Sequence, residues 1–254
     1  MLILRCKKIQ THLKMKIALI GYGKMGHEIE KIAIERGNEV PVIIDALINP
    51  QDFTAENLQK ADVAIEFTRP DAAFDNYIKC FEAGVPVVSG TTGWLDKMPQ
   101  IEKMCKEQGK TFFYASNFSI GVNIFFRLNK YLANIMNGFS DYDVKMQEIH
   151  HTTKLDKPSG TAKTLADDIV KSIDRKQGWI IDGLPKDGEI NIECLRLPDV
   201  PGTHTVKYFS GIDDIEMTHT AHSRKGFALG AVLAAEFLKG KPAGLYGMDD
   251  MLKF

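Results

Sequence analysis

The chain has 254 residues, 44% apolar and 26% charged, with 21 Gly and 10 Pro, which excludes a disordered polypeptide and leaves room for two modest domains. Its 32 Lys and Arg against 33 Asp and Glu give a formal net charge of -1, which excludes a whole-protein field aimed at nucleic acid or an anionic membrane. No apolar run approaches the roughly 18 residues of a membrane span, Leu2–Leu4 is too short for a signal-peptide core, and the four cysteines (Cys6, Cys80, Cys105, Cys194) are too scattered for a disulfide framework. The expectation is a cytoplasmic protein with free thiols, without nucleic-acid or membrane partners.

Residues 1–14 are basic and aperiodic and are expected as an N-terminal extension, disordered and outside the domains. From Lys16 the sequence KIALIGYGKMGHEIEKIAIERG reads as strand, turn and helix, with Ile29, Ile32 and Ala33 at helical spacing before the Arg36-Gly37 stop. Gly21-x-Gly23-x-x-Gly26 thus stands where a dinucleotide fingerprint belongs: one glycine for the turn, one for backbone approach to a pyrophosphate, one for helix packing. The helix start offers free N–H groups to the phosphates. Alone this pattern is weak, since glycines mark ordinary turns; the next element strengthens it. Val40–Ile44 is a second apolar strand and ends in Asp45, about 20 residues past the glycines, where a carboxylate accepts from ribose hydroxyls. Ala46, not Arg, follows, so NADH is favoured over NADPH, with Lys24 the nearby cation for a 2′-phosphate.

Strands at Ala61–Phe67, Val85–Ser89 and Thr111–Tyr114 alternate with helices near Ala72–Ala83 and Asp96–Gln108, which predicts a Rossmann-type, doubly wound parallel α/β sheet. Phe67-Thr68 and Gly90-Thr91-Thr92-Gly93 close two of these strands. They are either ordinary turns or the loops that face the nicotinamide half of the coenzyme.

After a helix from Val122 to about Met136 the pattern changes. Asp143–Ile149, Ile190–Arg196, Thr203–Phe209 and Ile215–Ala221 read as strands with few helices between them, which predicts a second α+β domain with a mixed, largely antiparallel sheet. The last helix, about Phe227–Leu238, stops at Lys239-Gly240-Lys241-Pro242 and is expected to pack back on the nucleotide domain.

The densest chemical signal runs from Glu148 to Ala162. His150, His151 and Lys154 follow a strand, and Pro158-Ser159 opens a helix whose Ala162, Leu165, Ala166, Ile169, Val170 and Ile173 share one face. Ser159-Gly160-Thr161 at a helix start suits a carboxylate, Lys154 adds a full positive charge, and a histidine supplies a proton near neutral pH. Taken singly, each also fits a structural role: paired histidines in a loop, or a serine cap. Zinc on His150, His151, His204, His219 and His222 is disfavoured, because strand neighbours point to opposite faces and no carboxylate or thiol stands at ligand spacing; no metal is expected. Glu148 and Asp156 are expected in solvated or helix-capping roles.

The segment from Glu148 to Ala162 matches E-x-H-H-x-x-K-x-D-x-P-S-G-T-A. Around it stand, in order, Lys24-Met25-Gly26, Phe67-Thr68-Arg69-Pro70, Gly90-Thr91-Thr92-Gly93, Asn117-Phe118-Ser119 before Gly121-Val122-Asn123, Gly202-Thr203-His204, and Ser223-Arg224 with Phe227. On these residues the sequence, from about Lys16 onward, resembles the dihydrodipicolinate reductases of the diaminopimelate route to lysine. The resemblance implies hydride transfer from NAD(P)H to a small dicarboxylate, 4-hydroxy-tetrahydrodipicolinate, by a cytoplasmic homotetramer. It implies His150 as proton donor, Lys154 as the group that binds and polarises substrate, and His151 with Ser159, Gly160 and Thr161 as the carboxylate site. It further implies Gly21, Gly23, Lys24, Met25, Gly26 and Asp45 along the dinucleotide, Phe67, Thr68, Gly90, Thr92, Asn117 and Phe118 towards the nicotinamide, and Arg224 among the coenzyme contacts.

The domains expected are 15–117 with 224–254 for the dinucleotide, and 118–223 for substrate and oligomerisation. Compared with the family's common form, the loop from Gly21 to Gly26 is one residue shorter, Asp45 lacks the Arg that often follows, Pro198 stands where Gly is common, and the stretch from Asp45 to Ala61 is short and polar, opening the adenine edge. Two rival readings remain at this point: an aspartate- or homoserine-type dehydrogenase with the same nucleotide half, and a non-catalytic NAD(H) sensor.

Overall fold

The computed structural model describes residues 14–253; residues 1–13, which carry nearly all of the expected extension and Cys6, lie outside the described residues. The chain divides into two compact units, the first made of the residues up to Ser116 with Ala231–Met251, the second of Asn117–Gly230 with the last residues. The first unit opens with β1 (Lys16–Ile20), α1 (Lys24–Glu35), β2 (Glu39–Ile44), α2 (Ala55–Leu58) and β3 (Val63–Glu66). It continues through α3 (Pro70–Glu82), β4 (Val87–Ser89), α4 (Met98–Glu107) and β5 (Thr111–Tyr114). The second unit holds α5 (Ile120–Met136), β6 (Asp143–His150), α6 (Gly160–Ser172), β7 (Gly178–Ile181), β8 (Glu189–Arg196), β9 (Gly202–Phe209) and β10 (Asp214–Ala221). Helix α7 (Lys225–Leu238) gives its last eight residues to the first unit, which β11 (Gly244–Tyr246) rejoins before α8 (Met248–Leu252).

The first sheet has the order β11-β5-β4-β3-β1-β2 and every pairing in it is parallel. Strands β3 and β4 are buried at every position, as a sheet covered on both faces demands. On one side Tyr77, Trp94 and Phe112 meet edge to face, with ring centroids 4.9 to 5.7 Å apart. On the other, Ala231, Val232, Ala234, Ala235 and Leu238 of α7 are fully buried, and the Arg36 guanidinium grips the Glu236 carboxylate through two bonds of 2.9 and 2.7 Å. The chain leaves β1 towards β2 and then crosses back to β3, so the strand order reverses between β1 and β3, the position at which ligands enter such sheets.

The second sheet runs β10-β9-β6-β8-β7. It is mixed, with β10–β9 and β9–β6 antiparallel but β6–β8 and β8–β7 parallel, so the expectation of a largely antiparallel sheet holds for half of it. The cause is α6, a crossover helix that returns the chain parallel to β6. Strand β6 alternates strictly, burying Val144, Met146, Glu148 and His150. Its antiparallel neighbour β9 buries Gly202, His204, Val206 and Tyr208, and the apolar members of both rows pack under α5 and α6 with Phe125, Ala133, Leu165 and Ile169. The opposite face carries Lys145, Gln147, Glu193, Thr205 and Lys207, which line an open hollow.

Candidate active site

In the first unit the three glycines of the β1–α1 turn have separate physical reasons. Gly21 has φ +92, and a Cβ there would sit 2.1 Å from the Phe67 carbonyl oxygen. A Cβ at Gly26 would sit 2.5 Å from the Gly21 oxygen, so this glycine lets α1 close on the loop. At Gly23 a Cβ would meet nothing within 4 Å; the position faces open space at the N-cap of α1, whose first turn has no side-chain cap and no acidic residue. An uncapped helix start with an open approach fits a pyrophosphate. Lys24 and Met25 occupy that first turn, Lys24 exposed and Met25 half-buried.

Asp45 ends β2 beside this turn. Its Oδ2 accepts from the Tyr22 N–H at 3.1 Å and its Oδ1 from the Leu47 N–H at 2.9 Å, and these backbone bonds hold its pKa below the ordinary range. A cavity of about 600 Å³ extends from Gly21–Gly23 past Asp45 to Phe53 and Lys79. Leu47, Pro50 and Phe53, from the stretch expected to open the adenine edge, give it an apolar wall. Arg69 and Lys79 also line it, with the Lys79 ammonium 4.5 Å above the Phe53 ring. Neither was picked out from the sequence as a binding residue.

The two loops at the ends of β3 and β4 are tied together. The Thr68 N–H donates to Thr91 Oγ1 at 2.8 Å, and the Phe67 ring lies so close to Gly90 that a Cβ there would stand 2.2 Å from it. Thr92 is exposed at the tip.

In the second unit β6, β8, β9 and the start of α6 converge on one cluster. Glu148 is wholly buried, not solvated as the sequence suggested. It lies on the inward-facing row of β6 with Val144 and Met146, and its two oxygens are both engaged. Oε2 accepts from the Ser159 N–H at 3.0 Å, so the capping half of the expectation is met through the backbone. Oε1 accepts from Arg196 Nη2 at 3.2 Å. His204, in register opposite Glu148, places Nε2 3.0 Å from Ser159 Oγ. Burial is the main cause that pulls the His204 pKa down to about 3, so its imidazole is neutral.

His150 is 6% exposed. Its Nδ1 lies 3.6 Å from Glu148 Oε2, and its Nε2 edge faces Gly202, where a Cβ would come within 3.1 Å. Burial lowers its pKa; Lys154 and Arg196 push the same way, while Glu148 and Asp156 oppose them.

Glu148, His150 and His204 bring three ligand atoms within 4.8 Å of one another, so the argument that no carboxylate stands near the histidines fails: strand alternation and the facing strand supply what linear spacing does not. The Arg196 guanidinium and the Ser159 N–H already occupy that carboxylate, which makes the cluster an ion-paired network.

Arg196 also orders the loop after β6. It donates to the carbonyls of Lys154 at 3.3 Å and Asp156 at 2.7 Å. On that loop the Lys154 ammonium bonds both oxygens of Asp156, at 2.7 and 2.9 Å, and His151 Nδ1 stands 2.8 Å from Thr153 Oγ1.

Ser159 is buried, its Oγ accepting from the Ala162 N–H at 3.2 Å as the cap of α6. Its hydroxyl is therefore spent inside the cluster, while Gly160 and Thr161 present the accessible face of the helix start. Asn117 Nδ2 donates to Thr161 Oγ1 at 3.4 Å. Phe118 is buried, and its carbonyl lies where a Cβ on Gly230 would fall. Asn117 and Phe118 both belong to the second unit. Arg224 is exposed before α7, its carbonyl accepting from Phe227 N–H at 3.1 Å. Three members of the network escaped the sequence reading: Glu148 in this role, Arg196 and His204. The signal was available, because each stands on a strand next to apolar residues two positions away.

Two family models match the chain, "Dihydrodipicolinate reductase, N-terminus" over residues 15–118 and "Dihydrodipicolinate reductase, C-terminus" over residues 121–252. A 4-hydroxy-tetrahydrodipicolinate reductase of Christiangramia forsetii is 52% identical over 238 residues, covering 94% of this chain and 98% of its own. One from Archaeoglobus fulgidus is 36% identical, covering 94% and 100%. Among solved structures, the dipicolinate-bound dihydrodipicolinate reductase of Paenisporosarcina sp. TG-14 superposes with a TM-score of 0.74 at 24% identity, covering 94% of this chain and 99% of that one, a likeness of fold.

Proposed function

This chain belongs to the dihydrodipicolinate reductase family, and from that premise we propose how its own residues carry out the NAD(P)H-dependent reduction of 4-hydroxy-tetrahydrodipicolinate to tetrahydrodipicolinate in lysine biosynthesis. Substrate and product differ by one oxygen, so the reaction replaces a hydroxyl by hydrogen: one hydride and one proton enter and one water leaves. The bound dinucleotide supplies the hydride. The protein must hold a dianion, supply the proton and keep both in place.

The observation that carries the reading is the cluster in which Glu148 bonds Arg196 and the Ser159 N–H at the start of α6, with the His150 imidazole 3.6 Å away on the same strand and the Lys154 carbonyl held by Arg196. The N–H groups of Gly160 and Thr161, with the Thr161 hydroxyl, hold one carboxylate at the positive end of α6. Lys154, which already binds a carboxylate pair of oxygens on Asp156, and His151 meet the anionic substrate. His150 gives the proton: a dianion arriving beside an imidazole favours its charged form. The test is to mix the purified protein with NADH or NADPH and the freshly formed condensation product of pyruvate and aspartate semialdehyde, and to follow coenzyme oxidation. Turnover of aspartate or homoserine with NAD⁺, and none of this substrate, would replace the reading with the rival dehydrogenase.

NADH is the preferred coenzyme. An Asp45 carboxylate held ionised by two backbone N–H groups accepts from ribose hydroxyls and repels a 2′-phosphate; Lys24, Arg69 and Lys79 are the cations that keep NADPH usable. Asp45→Ala is expected to weaken NADH by about 1 to 2 kcal/mol and NADPH by less, read by fluorescence titration of each; equal loss would show that Asp45 does not read the ribose.

The working assembly is a homotetramer formed through the second unit, one face of whose sheet lines an open hollow with Lys145, Gln147, Glu193, Thr205 and Lys207. Light scattering of the purified protein tests this, a monomer being the contrary result. The place of action is the cytoplasm, in keeping with a biosynthetic reductase; among the described residues no helix is long and apolar enough to cross a membrane.

A further inference from the structure

Glu66 is the last residue of β3, a strand of the parallel sheet, and it is completely buried. Its neighbour in register is Ser89, the last residue of β4. Oε1 accepts from the hydroxyls of Thr68 and Thr91, the latter at 3.1 Å, and Oε2 accepts from the Ser89 hydroxyl at 3.0 Å.

Each of those three hydroxyls has a further partner behind it. Asn76 Nδ2 donates to Thr68 Oγ1 at 3.2 Å, the Thr68 N–H donates to Thr91 Oγ1 at 2.8 Å, and the Tyr77 hydroxyl lies 2.6 Å from Ser89 Oγ. A hydroxyl has one proton to give. With their oxygens already accepting from Asn76 or from a backbone N–H, the two threonine hydroxyl protons are free to point at Glu66, and the Ser89 hydroxyl stands between Glu66 and Tyr77. Hydroxyls that bond both oxygens make a cage suited to the ionised carboxylate.

Burial is the largest influence on this carboxyl and raises its pKa above the ordinary value; the bonds from Thr68, Thr91, Ser89 and Tyr77 pull the other way and offset part of that rise. Among the described residues no cation makes an ion pair with it. In its ionised form the carboxylate is caged by neutral dipoles, with no paired cation among the described residues to cancel its field at the carboxyl ends of β3 and β4. Thr68 and Thr91, which make the cage, belong to the two loops through which the coenzyme's nicotinamide end is read above.

We propose that Glu66 is a positioning residue of the coenzyme site, and that its fixed negative charge favours the oxidised coenzyme, whose nicotinamide ring carries a positive charge, over the neutral reduced form. Loss of hydride leaves two electrons and a proton on the substrate and a positive ring on the coenzyme. A preorganised anion nearby stabilises that charge as it develops, with no reorganisation at the moment of transfer. The proposal rests on the assignment of Phe67, Thr68, Gly90 and Thr92 to the nicotinamide end.

The experiment measures Kd for NAD⁺ and for NADH separately, by calorimetry, on the wild type and on Glu66→Gln, with circular dichroism to establish the fold. The Kd ratio is expected to move against NAD⁺ by about tenfold in Glu66→Gln, the order of magnitude of one unit-charge interaction at an effective dielectric of about 20. Glu66→Asp, which keeps the charge, is expected to restore the wild-type ratio even where both affinities fall. Glu66→Met, of similar length and uncharged, takes the place of the amide if that variant does not fold, with the same shift expected. A folded uncharged variant with the wild-type ratio overturns the proposal while leaving the coenzyme site standing. A wild type that binds neither form overturns the site itself. Loss of both affinities in equal proportion would mark Glu66 as a brace for the loops and nothing more.

Discussion

Replacing His150 by Gln is expected to lower kcat by about 10²–10⁴-fold, the usual contribution of a positioned general acid, while NADH binding stays at the wild-type level. Gln matches the imidazole in reach and hydrogen-bonding capacity but cannot give up a proton, so the variant isolates proton donation from packing. The pH profile supplies an independent check. In the free protein, burial first and then Lys154 and Arg196 hold the His150 pKa below its ordinary value, against the pull of Glu148 and Asp156; the neighbouring His204, neutral with a pKa of about 3, adds no charge.

In the free protein the acid form of His150 is thus lost at a lower pH than that of an ordinary imidazole, and kcat/KM, which reports the free enzyme, is expected to fall as pH rises through that lowered value. In the bound state two substrate carboxylates favour the imidazolium, so the corresponding fall in kcat is expected at higher pH. His150→Gln should abolish both limbs. Unchanged turnover in the variant, or a kcat limb lying below that of kcat/KM, would remove the residue from the role of acid.

Glu148 makes clear why part of this site was legible in the sequence and part was not. The run from His150 to Thr161 announces its chemistry through residue types alone: imidazoles, an ammonium and a helix start within a dozen positions. What holds it together comes from residues remote in sequence. Arg196 arrives on β8 and His204 on β9, and only sheet pairing sets His204 opposite Glu148 and Arg196 opposite His150. Glu148 itself was misjudged by residue type. Carboxylates are rarely fully buried unless paired, and the pairing that permits it was not visible. The alternation Val144, Met146, Glu148, His150 nonetheless placed it on the inner face.

The same holds for Glu66. A charged residue inside Val63-Ala64-Ile65-Glu66, a strand buried at every position, must find partners, and it finds them in Thr68, Ser89 and Thr91 at the neighbouring strand ends, which the sequence reading did not single out as its partners. The glycine turn and Asp45, by contrast, were readable because their constraints are local. Strands β7 and β11 were not readable. Each has only three or four residues at a sheet edge, and β11 gains its place by pairing with β5 more than 130 positions earlier, for which no local pattern exists.

Lys154→Ala is expected to lower kcat/KM by about 30- to 1000-fold, the range for removing one member of a charge pair that is desolvated on binding, with a rise in KM accounting for a large share of it. The geometry dictates this division. In the free protein the ammonium already grips both oxygens of Asp156 at 2.7 and 2.9 Å, so it is placed to take a carboxylate through two oxygens. The lysine is only partly exposed, and its main chain is held by Arg196, which donates to the Lys154 and Asp156 carbonyls, so the charge is presented from an ordered loop and little conformational entropy is lost on binding.

Asp156 then competes with the substrate for the same cation. Asp156→Asn, which removes the competing charge and leaves the carbonyl to Arg196, is expected to lower KM or leave it unchanged, the opposite direction to Lys154→Ala. Steady-state kinetics on the two variants decide the point. A fall in kcat with constant KM in Lys154→Ala would place the ammonium on the reacting atoms alone, and a raised KM in Asp156→Asn would make the carboxylate a partner in substrate binding, as a brace that holds Lys154 in position.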